Sequence, residues 1–274
     1  MTTTAEETPP KVVSDSISGV ALAAAAANVV MQLSRLPVGH GVAESTVDSG
    51  RVDKHPVKRA RTTLSYIAVA MLGTEAERLA MREEVNRQHR HVRAKEPVAY
   101  NAFDRDLQLW VAACLYQGIE MIYTMLYGEP TPEQAAEMYR YGARFGTTLQ
   151  VTEDMWPADR AAFEDYWQAG LAQIEMDGVT RGYLRDLTEL RLFPAPLRWQ
   201  FGRLHRFLTL GFLPQPFRDA LGYPWTPRDQ ARFDRLTRVM ALGNRVLPRP
   251  AREFPFNLYL YDVRRRIRKN RPIV

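Results

Sequence analysis

Histidines are the residues of this sequence that bear most directly on chemistry. There are five: His40, His55, His89, His91 and His205. Periodicity predicts a helix from about Glu75 to Arg93. Along it Val85, His89 and Val92 recur at i, i+4 and i+7 and therefore share one face. His91, two positions on, lies about 200° round the helix from His89. His89 is thus expected to face inward and His91 to face solvent, and the two cannot chelate one ion together. A histidine on an apolar face serves either as a hydrogen-bonded core residue or as a ligand, and its type does not decide which.

The preceding helix, expected from about Val57 to Gly73, carries a polar stripe. Arg59, Thr63, Tyr66 and Ala70 align, with Thr62 beside them, on a helix otherwise built from Leu64, Ile67, Ala68, Val69 and Met71. Buried polar side chains need partners. Glu44 is expected as a counter-charge to Arg59. An arginine and a carboxylate near an inward histidine suit a haem pocket or a general acid/base site equally well. Cys114 stands between Trp110 and Leu115 and reads as a small buried hydrophobe. There is no Gly-rich phosphate loop, no G-x-S-x-G elbow and no H-E-x-x-H pair. A zinc or non-haem iron site is disfavoured, because neither a second inward histidine nor clustered carboxylates accompany His89.

The elements that must position these residues are helices. Further helices are expected over Ser18–Ser34, Asp104–Tyr127, Pro132–Phe145, Ala158–Met176, Gly178–Leu190, Leu197–Thr209, Pro214–Leu221, Pro227–Arg245 and Asp262–Lys269. Pro37, Gly39 and Gly41 are expected to break the chain after the first. Thr131 and Thr226, each followed by proline, read as caps. The fold class is all-α, with one globular domain over 17–262, a disordered tail over 1–16 and a basic tail over 263–274.

Hydrophobic residues at 46% and charged residues at 25% over 274 residues exclude collagen-like and wholly disordered chains. A single cysteine excludes a disulfide-built domain and favours a reducing, cytoplasmic setting. The run Ile17–Leu33 is alanine-rich and interrupted by Asn28 and Gln32, so a close-packed buried helix is expected rather than a membrane span. Of the net charge of +6, all is accounted for by six positive residues between Arg264 and Arg271. Internal ion pairs or solvation explain such a tail, while Arg264, Arg265, Arg266 and Arg268 also offer a peripheral contact to anionic membrane. No specific nucleic-acid partner is expected.

Four motifs in order carry a family resemblance. They are Gln32-Leu33-Ser34 with Gly39-His40-Gly41-Val42-Ala43-Glu44-Ser45; Arg59-Ala60-Arg61-Thr62-Thr63-Leu64 ending in Met71-Leu72-Gly73-Thr74; Val85-x-x-x-His89-x-x-Val92-Arg93; and Tyr100-Asn101-Ala102-Phe103-Asp104 before Leu109-Trp110-Val111. Together they resemble the oxygenase family that contains the bacterial latex-clearing (rubber oxygenase) proteins and the fungal MpaB enzymes. The resemblance is clearest over Ser18–Tyr127 and weakens through Trp225 to Pro255.

The resemblance implies an all-α fold holding haem b, and cleavage of an isoprenoid C=C bond with dioxygen. It puts the proximal iron ligand at His89, the distal arginine and threonine at Arg59 and Thr63, and the distal glutamate at Glu44. Glu44 would accept an allylic proton or polarise oxygen, Arg59 would hold a haem propionate or steady the glutamate, and Thr63 would donate a hydrogen bond into the pocket. Two positions depart from the pattern. Thr62 stands where the rubber oxygenase has a lysine that caps the iron, and Ala112 stands where many relatives have histidine. The function expected is a haem-dependent oxygenase acting on an apolar small molecule. The alternatives are a non-catalytic binder of haem or an apolar ligand, and an interaction protein docking through its basic tail.

Overall fold

The computed structural model describes residues 8–44 and 54–273. The fold is all-α. The only sheet among the described residues is a hairpin of two two-residue strands.

The chain starts with α1 (Lys11–Ser16), in a stretch expected to be a disordered tail. Val12, Val13 and Ile17 are buried in the core, and that apolar anchor is what orders it. A 3-10 turn over Gly19–Ala24 runs into α2 (Ala25–Leu33), so the first long helix is tighter at its start than expected. Next comes α3 (Leu36–Ala43), which passes through the predicted break at Pro37, Gly39 and Gly41. Pro37 lies in the first turn, where its missing N–H costs nothing. Gly39 is demanded by packing: a Cβ there would lie 2.6 Å from Thr180 Cγ2 and 2.9 Å from the Leu33 carbonyl oxygen.

Then come α4 (Pro56–Leu72) and α5 (Glu75–His89), separated by Gly73 and a capping box of Thr74 with Glu77. The expected extension of α5 to Arg93 does not form. Instead β1 (Arg93–Ala94) pairs antiparallel with β2 (Tyr100–Asn101), leaving His89 as the last helical residue. Asp104 caps α6 (Arg105–Tyr127), accepting from the N–H groups of Asp106 and Leu107.

α6 is the centre of the molecule. Trp110, Cys114, Tyr116, Ile122 and Leu126 are buried along it. It is the one described helix long and apolar enough to cross a membrane, and most of it is buried inside the protein. The segment Gly19–Leu33 passes a similar test only together with Leu36–Ala43, from which it is bent by 115°. α2 crosses α6 closely: Asn28 Nδ2 donates to the Cys114 carbonyl at 2.6 Å, and Trp110 Nε1 donates to the Met31 carbonyl at 3.2 Å. The polar residue that interrupts the alanine run is therefore what satisfies the contact.

The rest of the chain is α7 (Pro132–Gly142), α8 (Arg144–Thr147), α9 (Arg160–Leu171), α10 (Gly178–Thr188), α11 (Ala195–Phe212), α12 (Gln215–Leu221), α13 (Pro227–Val246), α14 (Arg249–Glu253) and α15 (Phe256–Arg268). The caps at Thr131 and Thr226 form as expected. The aromatic segment over 156–167 is core: Trp167 stacks on Trp110 at 5.2 Å, and Trp156 and Phe163 pack around Tyr116.

Residues 263–273, expected as part of a basic tail over 263–274, are not a free tail. Phe256, Leu260 and Val263 give α15 an apolar face at i, i+4 and i+7, and the helix lies along α4. Ile273 is buried beyond it, and Arg61 donates to its carbonyl. Arg264 pairs with Glu77 at 2.8 Å and Arg266 with Asp262 at 2.7 Å, so part of the basic run is spent on internal ion pairs. Arg265 and Arg268 remain exposed.

Gly39→Ala tests the contact between α3 and α10. Overpacking against Thr180 and the Leu33 carbonyl is expected to cost about 1–3 kcal/mol, more than alanine's helix propensity returns. A chemical-denaturation midpoint unchanged or raised in the variant would refute the close approach.

Candidate functional site

A cavity of about 230 Å³ opens between α3, α4, α5, the hairpin and α6. Its walls are mainly apolar, with Leu33, Val38, Val42, Val85, Val111 and Leu149 among them. Polar groups reach it from α4 as Lys58, Arg59, Thr62 and Tyr66, and from α5 as Gln88 and His89. No aspartate or glutamate lines it among the described residues.

His89 faces the cavity and His91 is exposed, as the periodicity predicts. The end of α5 places it. The Val92 N–H bonds the His89 carbonyl at 2.9 Å, and the hairpin then folds back beside it. Phe103 meets the imidazole edge-on, with ring centroids 6.5 Å apart. One ring nitrogen, Nδ1, is buried with no hydrogen-bond partner among the described residues. Burial first, and the Arg59 charge second, push the His89 pKa down to about 4. The ring is therefore neutral near pH 7, the form that can ligate a metal.

Arg59 is half-buried at the cavity. Burial lowers its pKa, with Tyr183 acting in the opposite sense. Tyr66 donates to the Phe145 carbonyl at 2.5 Å, and burial raises its pKa. Thr62 lines the cavity, but its hydroxyl donates back to the Lys58 carbonyl at 3.0 Å. Gln108 closes the floor, donating to the Ala102 carbonyl at 2.7 Å and accepting from the Gln150 N–H at 2.9 Å.

Two expected members lie elsewhere. Thr63 is exposed and is not a wall, which corrects the hydrogen bond it was expected to donate into the pocket. The reason is helix phase: Lys58, Arg59, Thr62 and Tyr66 define the inward stripe of α4, and Thr63 lies to one side of it. Glu44 is also not a wall and, as described, is paired with His40. It ends α3, and its carboxylate turns back one helical turn to His40 Nδ1, at 2.7 Å.

That pairing builds a second feature. His40 is 2% exposed and bridges two carboxylates, Glu44 through Nδ1 and Asp177 through Nε2, both at 2.7 Å. Burial opposes its charge, but the hydrogen bonds and charges of Glu44 and Asp177 outweigh burial and raise its pKa. Asp177 is held below the usual carboxylate range, first by the Thr180 N–H and then by His40. The bridge ties α3, a cavity wall, to the start of α10.

Lys58 was missed in the sequence, although it stands one turn before Thr62 and the α4 spacing carried that signal. Gln108 and Leu149 come from distant segments and had no local signal.

The catalytic-domain model of the ER-bound oxygenase mpaB/B'/rubber oxygenase family matches residues 12–242. Uncharacterized proteins Mb2261 of Mycobacterium bovis and Rv2237 of Mycobacterium tuberculosis are each 47% identical over 251 residues, covering 91% of this chain and 98% of their own. No solved structure matches the chain.

Two titrations check this electrostatic picture. The folded His40 pKa lies above the ordinary 6.5. Its bridge therefore stabilises fully below that value while Asp177 stays ionised, and fades as pH rises through the folded pKa. His40→Ala is expected to cost about 1–3 kcal/mol at pH 6 and less at pH 9, read by denaturant unfolding. A cost that grows with pH would contradict the bridge. By NMR, His89 should titrate near 4, and Arg59→Gln should move it upward. No movement would remove Arg59 as a cause.

Proposed function

The chain belongs to the mpaB/rubber oxygenase family, and on that premise we propose that its cavity holds haem b on His89 and serves oxygenation of an apolar, isoprenoid or lipid-like molecule. The observation that carries the reading is His89 itself: a neutral imidazole at an apolar cavity, with one ring nitrogen buried and unpartnered among the described residues. An orphaned buried polar atom costs about 1–3 kcal/mol, a cost that a bond from that nitrogen to a ligand would offset. When bound, haem b would supply the activation of dioxygen.

The chain's own residues fit such a group. His89 would supply the nitrogen donor, and Phe103 meets its ring edge-on. Arg59 and Lys58 put two cations at one side of the cavity, where they suit the carboxylates of haem. Val38, Val42, Val111 and Leu149 exclude water and receive apolar surface. Thr62 can neither ligate as lysine does nor readily spare its proton, which is donated to the Lys58 carbonyl.

A second reading has its own observation. No carboxylate lines the cavity among the described residues, and Glu44 is engaged with His40. A site without a general base suits a non-catalytic binder of haem or of an apolar ligand.

The deciding experiment is the absorption spectrum of protein produced with haem supply. A Soret band is expected in the wild type and is expected to vanish in His89→Ala, while Arg59→Gln weakens haem binding about tenfold or more. A folded, colourless wild type sinks the haem reading. A coloured protein that consumes no oxygen with isoprenoid alcohols favours the binder.

A further inference from the structure

The second half of α13 presents to solvent what a core helix would bury. Val239, Leu242 and Val246 recur at i, i+3 and i+7 on one face, and they are 64%, 61% and 83% exposed. Leu247 continues the strip at 45%. The helix cannot turn this face inward, because its opposite side is committed. Phe233, Ala241 and Asn244 are buried there. Asn244 accepts from the Ser18 hydroxyl and donates to the Tyr127 hydroxyl, each at 3.1 Å.

The charge around the strip is one-sided. From Arg235 to Arg252 the chain has five arginines and no acidic residue. Arg249 pairs with Glu253, and Arg252 reaches Tyr127. Arg235, Arg238 and Arg245 are exposed, and none forms an ion pair with a carboxylate among the described residues. A second copy docked about a two-fold axis would set these arginines against themselves. The occupant must therefore be anionic and must also accept apolar side chains. The boundary between headgroups and acyl chains does both: aliphatic residues enter it while arginines snorkel to the phosphates.

We propose that this face of α13 docks the protein on an anionic lipid bilayer. The contact is peripheral and distinct from the C-terminal run, where Arg264 and Arg266 are held by Glu77 and Asp262. It does not rest on the haem reading: a colourless protein that binds vesicles would separate the two.

The test is flotation of the full chain at low salt. One set of vesicles is phosphatidylcholine alone and the other is equal parts phosphatidylcholine and phosphatidylglycerol. The wild type is expected to float only with the anionic vesicles and to be released by salt. Combined Arg235→Gln, Arg238→Gln and Arg245→Gln should weaken binding about a hundredfold. Leu242→Ser with Val246→Ser should weaken it about tenfold or more. All five positions are exposed, so both variants should melt like the wild type, and either alone reads the proposal. No flotation, equal flotation with neutral vesicles, or variants that float like the wild type would overturn it. So would loss of binding on changing Arg265 and Arg268 instead. A dimer in sedimentation velocity that Leu242→Ser with Val246→Ser disperses would give the face to a second copy.

Discussion

A cavity survives in a close-packed protein only if its walls are prevented from collapsing, and here the position of α3 carries much of that burden. The helix is short and contains two glycines, so its own propensity is weak. It is placed by what it meets. His40 reaches across to Asp177 and back to Glu44, and Gly39 admits Thr180 at a distance no side chain would permit. With α3 pinned to α10, Val38, Gly41 and Val42 form a wall facing α4 and α5. A charged imidazole inside the protein would be costly alone. Two carboxylates make it tolerable and give the contact direction.

The opposite wall uses burial differently. Arg59 and His89 share a poorly solvated cavity, and only one of them stays charged near neutral pH. The arginine is too basic to lose its proton, so the imidazole does. The result is a fixed cation beside a neutral nitrogen donor, surrounded by aliphatic side chains. His40 and His89 thus lie on opposite sides of the ordinary histidine value: burial opposes charge on both, but at His40 two anions outweigh it, whereas at His89 the Arg59 cation adds to it.

The basic excess of the chain is also sorted by the fold. Sequence puts it all at the C-terminus, where α15 packs on α4 and returns two of its arginines to internal carboxylates. Elsewhere positive and negative residues balance in number but not in space. The second half of α13 gathers arginines around an exposed aliphatic strip, with no acidic residue between Arg235 and Arg252.

Much of this protein was legible in its residues. Helical periodicity, threonine-proline caps and the apolar run of α6 specify an all-α chain, because those signals are local and act within a turn or two. The inward face of His89 followed from a spacing read as one helix, although α5 ends at His89 and Val92 lies beyond it, and the family followed from four motifs in order. What the sequence could not resolve were contacts between distant segments. Thr63 and Thr62 are neighbours on one helix, and only the packing of α4 against α5, α8 and α15 decided which one meets the cavity. Glu44 was assigned to Arg59 by charge alone, but in the fold the nearer partner is His40, one turn away and locked to Asp177 from α10. α3 runs through glycines that would end a helix in isolation, and residues 11–16 and 263–273 are ordered by apolar contacts with the core. In each case local preference was small, and the free energy came from surfaces far apart in the chain.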